Sequence, residues 1–278
     1  MKRNCRATVE VTPISEKSQA MKTDNAFPDL DALKENGFAI LPSLISRVEI
    51  DAFEREIEEL ALHHLKRKEL PARSNDAISD LLAHGGAFRK ALFPQLKHLT
   101  SVTNIALTIR EKLTHSTFAD QMKMACPVTN WSIKADVPGE EKFLLPMHQD
   151  YKTPCHLAYR VWAPLRAANR ANGTIAYVPG SHKAGYVEHD TSNPERPVIP
   201  TEAYNAKEVK VLELKAGDGF LFHPLLFHAS VAANEDSVKH VVMVNFWDLA
   251  TLADPEDDQD PINARLALAA RRDMIRDA

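Results

Sequence analysis

The sequence predicts a mainly β protein with flanking helices: a two-sheet jelly roll preceded by a helical N-terminal part. Three observations carry this. Apolar positions recur at helical spacing through the first 115 or so residues. From about residue 127 to residue 250, apolar runs of strand length follow one another. Gly, Pro and Asn turn signals punctuate those runs. Seven or more strands after a helical lead-in fit two packed sheets with helices outside them.

In chain order, residues 1–25 are rich in Lys, Thr, Ser and Glu without apolar period, which predicts a mobile tail; Met21 is a second possible start. Residues 26–278 then form a single domain: a lead-in over 26–115, a jelly-roll core over about 127–250 and a C-terminal helix over 261–276. Asp29 to Asn36, closed by Gly37, reads as a short helix, and Phe38 to Pro42 as a short strand. Ser46 and Glu49 have the spacing of a capping box, and Ile50, Phe53, Ile57, Leu60 and Leu65 follow at helical intervals, predicting a helix over about 47–66. Residues 76–82 and 103–113 read as further helices, separated by Gly85-Gly86 and Pro94.

The predicted strands are Val128–Val137, Phe143–Tyr151, Ala158–Leu165, Thr174–Val178, Val209–Leu214, Gly219–His228 and Val241–Trp247. Pro138-Gly139, Asn172-Gly173, Pro179-Gly180 and Gly217-Asp218-Gly219 supply turns between them. Residues 182–207 make a long polar connection with Pro194, Pro197 and Pro200, of a length that often serves as a lid. Asp260-Pro261 suits the cap and first position of the terminal helix.

Composition excludes several classes of function. The 278 residues are 44% hydrophobic, enough for one large core, and the formal charge of −4 offers no basic field to nucleic acid or anionic lipid. Lys66-Arg67-Lys68 reads as a solvated helix face. Cys5, Cys126 and Cys155 show no paired pattern, which fits a reducing compartment. No run approaches the roughly 20 apolar residues of a membrane span, and the polar start lacks a signal-peptide core. A cytoplasmic protein without nucleic-acid or membrane partners is expected; the oligomeric state is left open.

The chemistry centres on Leu144-Leu145-Pro146-Met147-His148-Gln149-Asp150-Tyr151. On an extended chain, side chains two residues apart leave the same face, so His148 and Asp150 can reach one point. The spacing alone is equally compatible with a surface turn. A second imidazole, His228, lies far downstream in Gly219–Ser230, with His223 as its rival. Two histidines and one carboxylate with open positions make the facial triad that suits non-haem Fe(II).

Four separated segments resemble the phytanoyl-CoA dioxygenase family of Fe(II)- and 2-oxoglutarate-dependent oxygenases. They are Asn36-Gly37-Phe38-Ala39-Ile40-Leu41-Pro42, Leu145–Tyr151, Val178-Pro179-Gly180-Ser181-His182-Lys183, and Gly217-Asp218-Gly219 leading to His228-Ala229-Ser230. They occur in the family's order over roughly residues 27–250. The resemblance implies a double-stranded β-helix with iron on His148, Asp150 and His228. It implies 2-oxoglutarate and O2 as co-substrates, released as succinate and CO2 while a C–H bond of a small or medium-sized metabolite is oxidised. Related halogenases carry a small residue where Asp150 stands, so the carboxylate points to hydroxylation.

One departure is plain. The family's arginine for the distal carboxylate of 2-oxoglutarate is missing, because no arginine occurs between Arg196 and Arg265. Lys239 occupies the matching strand and is the first choice for that carboxylate, with His240 as rival. Lysine offers a point charge without arginine's fork. Ser230 matches a family position that often binds the same carboxylate. Trp131, Lys134, Arg160 and Trp162 flank the proposed metal segment without assigned roles, and His182 reads as part of a structural turn. The missing arginine also motivates an alternative, a metal-binding jelly roll without catalysis, and a zinc hydrolase on the same ligands is a third reading. The segments 65–100 and 182–207 are expected to shape substrate choice.

Overall fold

The computed structural model describes residues 30–65, 92, 94–114, 124–125, 131–136, 144–150, 157–190, 192–193, 196–233 and 238–248. The predicted tail over 1–25 and the helices over 76–82 and 261–276 lie outside these residues. The lead-in begins with α1 (Leu30–Asn36), which Gly37 ends in the left-handed region (φ 80°), its N–H donating to Leu33 O at 2.8 Å. Strand β1 (Phe38–Leu41) follows.

Helix α2 (Arg47–Leu65) starts at the expected capping box. Ser46 N donates to Glu49 Oε2 at 2.8 Å, and Glu49 N donates back to Ser46 Oγ at 3.3 Å. Helix α3 (Thr100–Thr114) is tied to α2 by Glu56, whose carboxylate accepts from Thr100 N and Ser101 N at its first turn.

The β elements are β2 (Met124–Ala125), β3 (Trp131–Asp136), β4 (Leu157–Pro164), β5 (Asn172–Tyr177), β6 (Lys210–Val211), β7 (Gly219–Phe222), β8 (His228–Ala233) and β9 (Lys239–Asp248). The larger sheet runs β1-β7-β4-β9-β2, with β3 also paired to β9. The smaller runs β6-β5-β8, and all pairings are antiparallel. Mutual backbone bonds between His148 and His228 (2.9 and 3.0 Å) add the segment 144–150 to the edge of β8.

Two-residue alternation sorts the core into layers. Val242, Val244 and Phe246 of β9, with Val161 and Ala163 of β4, face α2 and α3, where they meet Ile50, Phe53, Ile105 and Ile109. Val241 of β9 and Trp162 of β4 face the other way, into the space between the sheets, with Ile175, Phe220 and Phe222. A third cluster of Met147, Val178, Ile199 and Phe227 seats the 182–207 connection beside the 144–150 segment.

Three strands differ from expectation: of the run Val209–Leu214, only Lys210–Val211 forms a strand, with an isolated bridge at Leu214. The run Gly219–His228 is not one strand: β7 ends at Phe222 and β8 begins at His228. Pro224 has no N–H to continue a ladder, and here the chain crosses from the large sheet to the small one. Likewise, the described part of Phe143–Tyr151 forms no strand and pairs only through an isolated bridge at His148, downstream of Pro146. Among the described residues no helix is long and apolar enough to cross a membrane.

Candidate metal centre

The crossing at Pro224 brings His228 onto the small sheet, opposite His148. One ligand-type atom from each of His148, Asp150 and His228 lies within 4.8 Å of the others. Asp150 Oδ1 is 3.9 Å from His148 Nε2, and Asp150 Oδ2 is 3.9 Å from His228 Nε2. His223, the rival imidazole, stands outside this group: its Nδ1 accepts from Leu225 N, and its ring packs on Tyr159 and His182.

The backbone orients both rings. His148 Nδ1 is 2.8 Å from Pro146 O, and His228 Nδ1 is 2.9 Å from Leu226 O. Carbonyls only accept, so each Nδ1 carries the proton and each Nε2 presents its lone pair toward Asp150. Burial, then the charge of neighbouring His228, pushes the His148 imidazole down to about 3, and burial pushes His228 down as well. Both shifts favour the neutral ring, the form in which imidazole binds a metal. Two lone pairs and a carboxylate converging in a buried place fit a divalent cation, and first-row ions take N and O donors of this kind at about 2.0–2.2 Å.

The surrounding contacts hold this set in place. Arg160, on the inner face of β4, puts Nη1 2.9 Å from Asp150 Oδ2 and donates from Nε to Asn245 Oδ1 at 2.9 Å. Between the two ligands, Gln149 is buried and turned the other way. Its Nε2 donates to Gly185 O and Leu225 O, and its Oε1 accepts from Val187 N. Its backbone N–H donates to His189 Nε2 at 3.0 Å. The 182–207 connection is thus pinned to the ligand segment from both sides.

Lys239 and His240 point to opposite faces of β9. His240 packs on Phe53 of α2, with ring centroids 5.1 Å apart. Burial, aided by the Arg166 charge, pushes it down to about 3, so it is neutral. Lys239 lies on the inner face, 1% exposed, with Nζ 5.3 Å from the Trp162 ring and 3.1 Å from Asp136 Oδ2. Ser230, paired across the sheet with Ile175, shares the inner face with His228, and its Oγ accepts from Leu145 N at 3.2 Å. Of the flanking residues, Arg160, Trp162 and Lys134 face inward, whereas Trp131 donates from Nε1 to Lys97 O on the helical side. His182 is a strut, its Nε2 2.9 Å from Lys34 O.

Sequence reasoning missed Asp136, Gln149, His189 and Asn245. Period-2 alternation would have put Asp136 on Lys134's face, but no local signal pairs it with Lys239.

The phytanoyl-CoA dioxygenase family profile matches residues 33–241. The chain is similar to human peroxisomal phytanoyl-CoA dioxygenase, 24% identical over 231 residues, covering 77% of this chain and 65% of that protein. It therefore spans a little under two thirds of that relative's length. It is also similar to 1-deoxypentalenic acid 11-beta-hydroxylase of Streptomyces arenae, 33% identical over 102 residues, 34% of this chain and 36% of the other. In fold it resembles EvdO2 of Micromonospora carbonacea var. aurantiaca, solved in complex with 2-oxoglutarate. The TM-score is 0.52 at 18% identity, covering 82% of this chain and 93% of that one.

Proposed function

The chain belongs to the phytanoyl-CoA dioxygenase family, and on that premise we propose that it is an Fe(II)- and 2-oxoglutarate-dependent dioxygenase that hydroxylates a small or medium-sized metabolite. The observation that carries the reading is the convergence of His148, Asp150 and His228 from two separated segments, with both Nε2 lone pairs directed inward. These three residues would hold the iron. When bound with 2-oxoglutarate and O2, iron there would supply oxidation of a C–H bond coupled to release of succinate and CO2.

The chain's own groups do the rest. Arg160, braced by Asn245, orients Asp150 toward the ion. Lys239 and Ser230 receive the distal carboxylate of 2-oxoglutarate, Lys239 being the inward-facing cation of β9. Phe222, 4.8 Å from the His228 ring, and Trp162 limit water around the site. The substrate is a small molecule, consistent with the names of the relatives. Three unpaired-pattern cysteines support a reducing location such as the cytoplasm.

Anaerobic titration tests the reading. The purified protein should bind one Fe(II), then bind 2-oxoglutarate in calorimetry, and His148→Ala should lose the metal. A His148→Ala protein that keeps the metal, or a loaded protein indifferent to 2-oxoglutarate, refutes it.

A further inference from the structure

The ammonium of Lys239 is already engaged on every side. Its Nζ donates to Gly173 O, lies 3.3 Å from Asn172 O, and is 3.1 Å from Asp136 Oδ2. An ammonium has three protons, and three acceptors stand around it, with the Trp162 ring at 5.3 Å. Two of those acceptors are backbone carbonyls at the start of β5 and stay where the strand holds them. Gly173 there has φ 81°, and a Cβ on it would come 3.2 Å from Nζ, so a glycine permits this approach.

The third acceptor is a side chain with a second partner. Asp136 Oδ1 is 2.9 Å from Lys134 Nζ, and Lys134 is about one-third exposed at 32% while Asp136 is 11% exposed. The register explains the trio: Asp136 lies opposite Lys239 on paired strands, and Lys134 is two residues away on the same face. Among the described residues, this end of the barrel therefore brings together two cations and one internal carboxylate, with the buried cation committed to the carboxylate.

We propose that Asp136 is an internal competitor for the distal carboxylate of 2-oxoglutarate and thereby sets the affinity of the protein for its co-substrate. This rests on the reading of Lys239 as the co-substrate's cation. A second carboxylate brought to Nζ must share or replace Asp136, and two anions at one buried ammonium repel each other. Lys134 gives the exchange a route, because it can retain Asp136 when Lys239 turns to the ligand. Asp136 is thus an affinity-determining residue that touches no reacting atom.

The test is calorimetric titration of the full-length protein, loaded with Mn(II) in place of Fe(II), with 2-oxoglutarate. Asp136→Asn keeps the shape and removes the charge, and should lower Kd about tenfold. Lys134→Met leaves Asp136 wholly to Lys239 and should raise Kd about threefold. Lys239→Met should abolish 2-oxoglutarate binding while retaining Mn(II). Asp136→Ser, expected to shift Kd the same way as Asp136→Asn, replaces it if that variant does not fold, with Mn(II) stoichiometry as the folding control. Loss of binding in Lys239→Met together with an unchanged or higher Kd in the Asp136 variants overturns the competitor role alone. Undiminished binding in Lys239→Met, or none in the parent, overturns the reading of Lys239 and the competitor role with it.

Discussion

Replacing His240 by Leu should make the metal-free protein markedly less sensitive to acid. His240 is enclosed between β9 and α2, beside Phe53, with Arg166 and Asp136 as the charges that act on it. Burial first, and Arg166 second, push its imidazole down to about 3 from an ordinary 6.5. Between those values the unfolded chain binds a proton that the folded chain refuses, so stability is complete above pH 6.5 and falls as pH drops. At pH 5, linkage gives a loss of about 2 kcal/mol relative to pH 8 from this one residue. Urea unfolding of parent and His240→Leu at both pH values reads it directly. The parent should lose about 2 kcal/mol more than the variant, equivalent to a midpoint difference on the order of 1 M urea. Equal losses would show that His240 is not held neutral by its burial.

Three further outcomes follow from the same contacts. Arg160→Met removes the group 2.9 Å from Asp150 Oδ2, and Mn(II) affinity measured by calorimetry should fall about tenfold; an unchanged affinity would leave Arg160 without a part in orienting the ligand. Gln149→Leu breaks three partly buried hydrogen bonds and should cost about 3 kcal/mol, with faster proteolytic cleavage inside 182–207. Cleavage at the parental rate would contradict the pinning of that connection. Gly37→Ala forces a side chain into φ 80° with its Cβ 2.5 Å from His182 Nδ1; thermal unfolding should report a loss of about 1–3 kcal/mol or more, and no loss would deny the strain.

What was legible in the sequence was local. The Ser46–Glu49 box and the spacing of Ile50, Phe53 and Ile57 specify α2 because capping and helical period act within a few residues. His148 and Asp150 were visible as a pair because two residues separate them. His228 was harder: the apolar run from Gly219 hides a change of sheet, and the Pro224 within it was the available signal. The faces of Lys239 and His240 could not be chosen from alternation, which says only that they differ. The choice is made by α2 covering one face and by Asp136 standing opposite Lys239 on the other. Arg160 and Asn245 meet across 85 positions of sequence, and Gln149 meets Leu225 across 76. No periodicity encodes such partners; only the register of the folded sheets does.

The most direct test of the central claim is succinate formation. The protein loaded with Fe(II) and supplied with 2-oxoglutarate and O2 should release succinate, slowly without a primary substrate, and His148→Ala should release none. Stoichiometric metal binding with no succinate above the His148→Ala background, across a broad panel of small-molecule substrates, would contradict the account and favour a jelly roll that binds metal without catalysis.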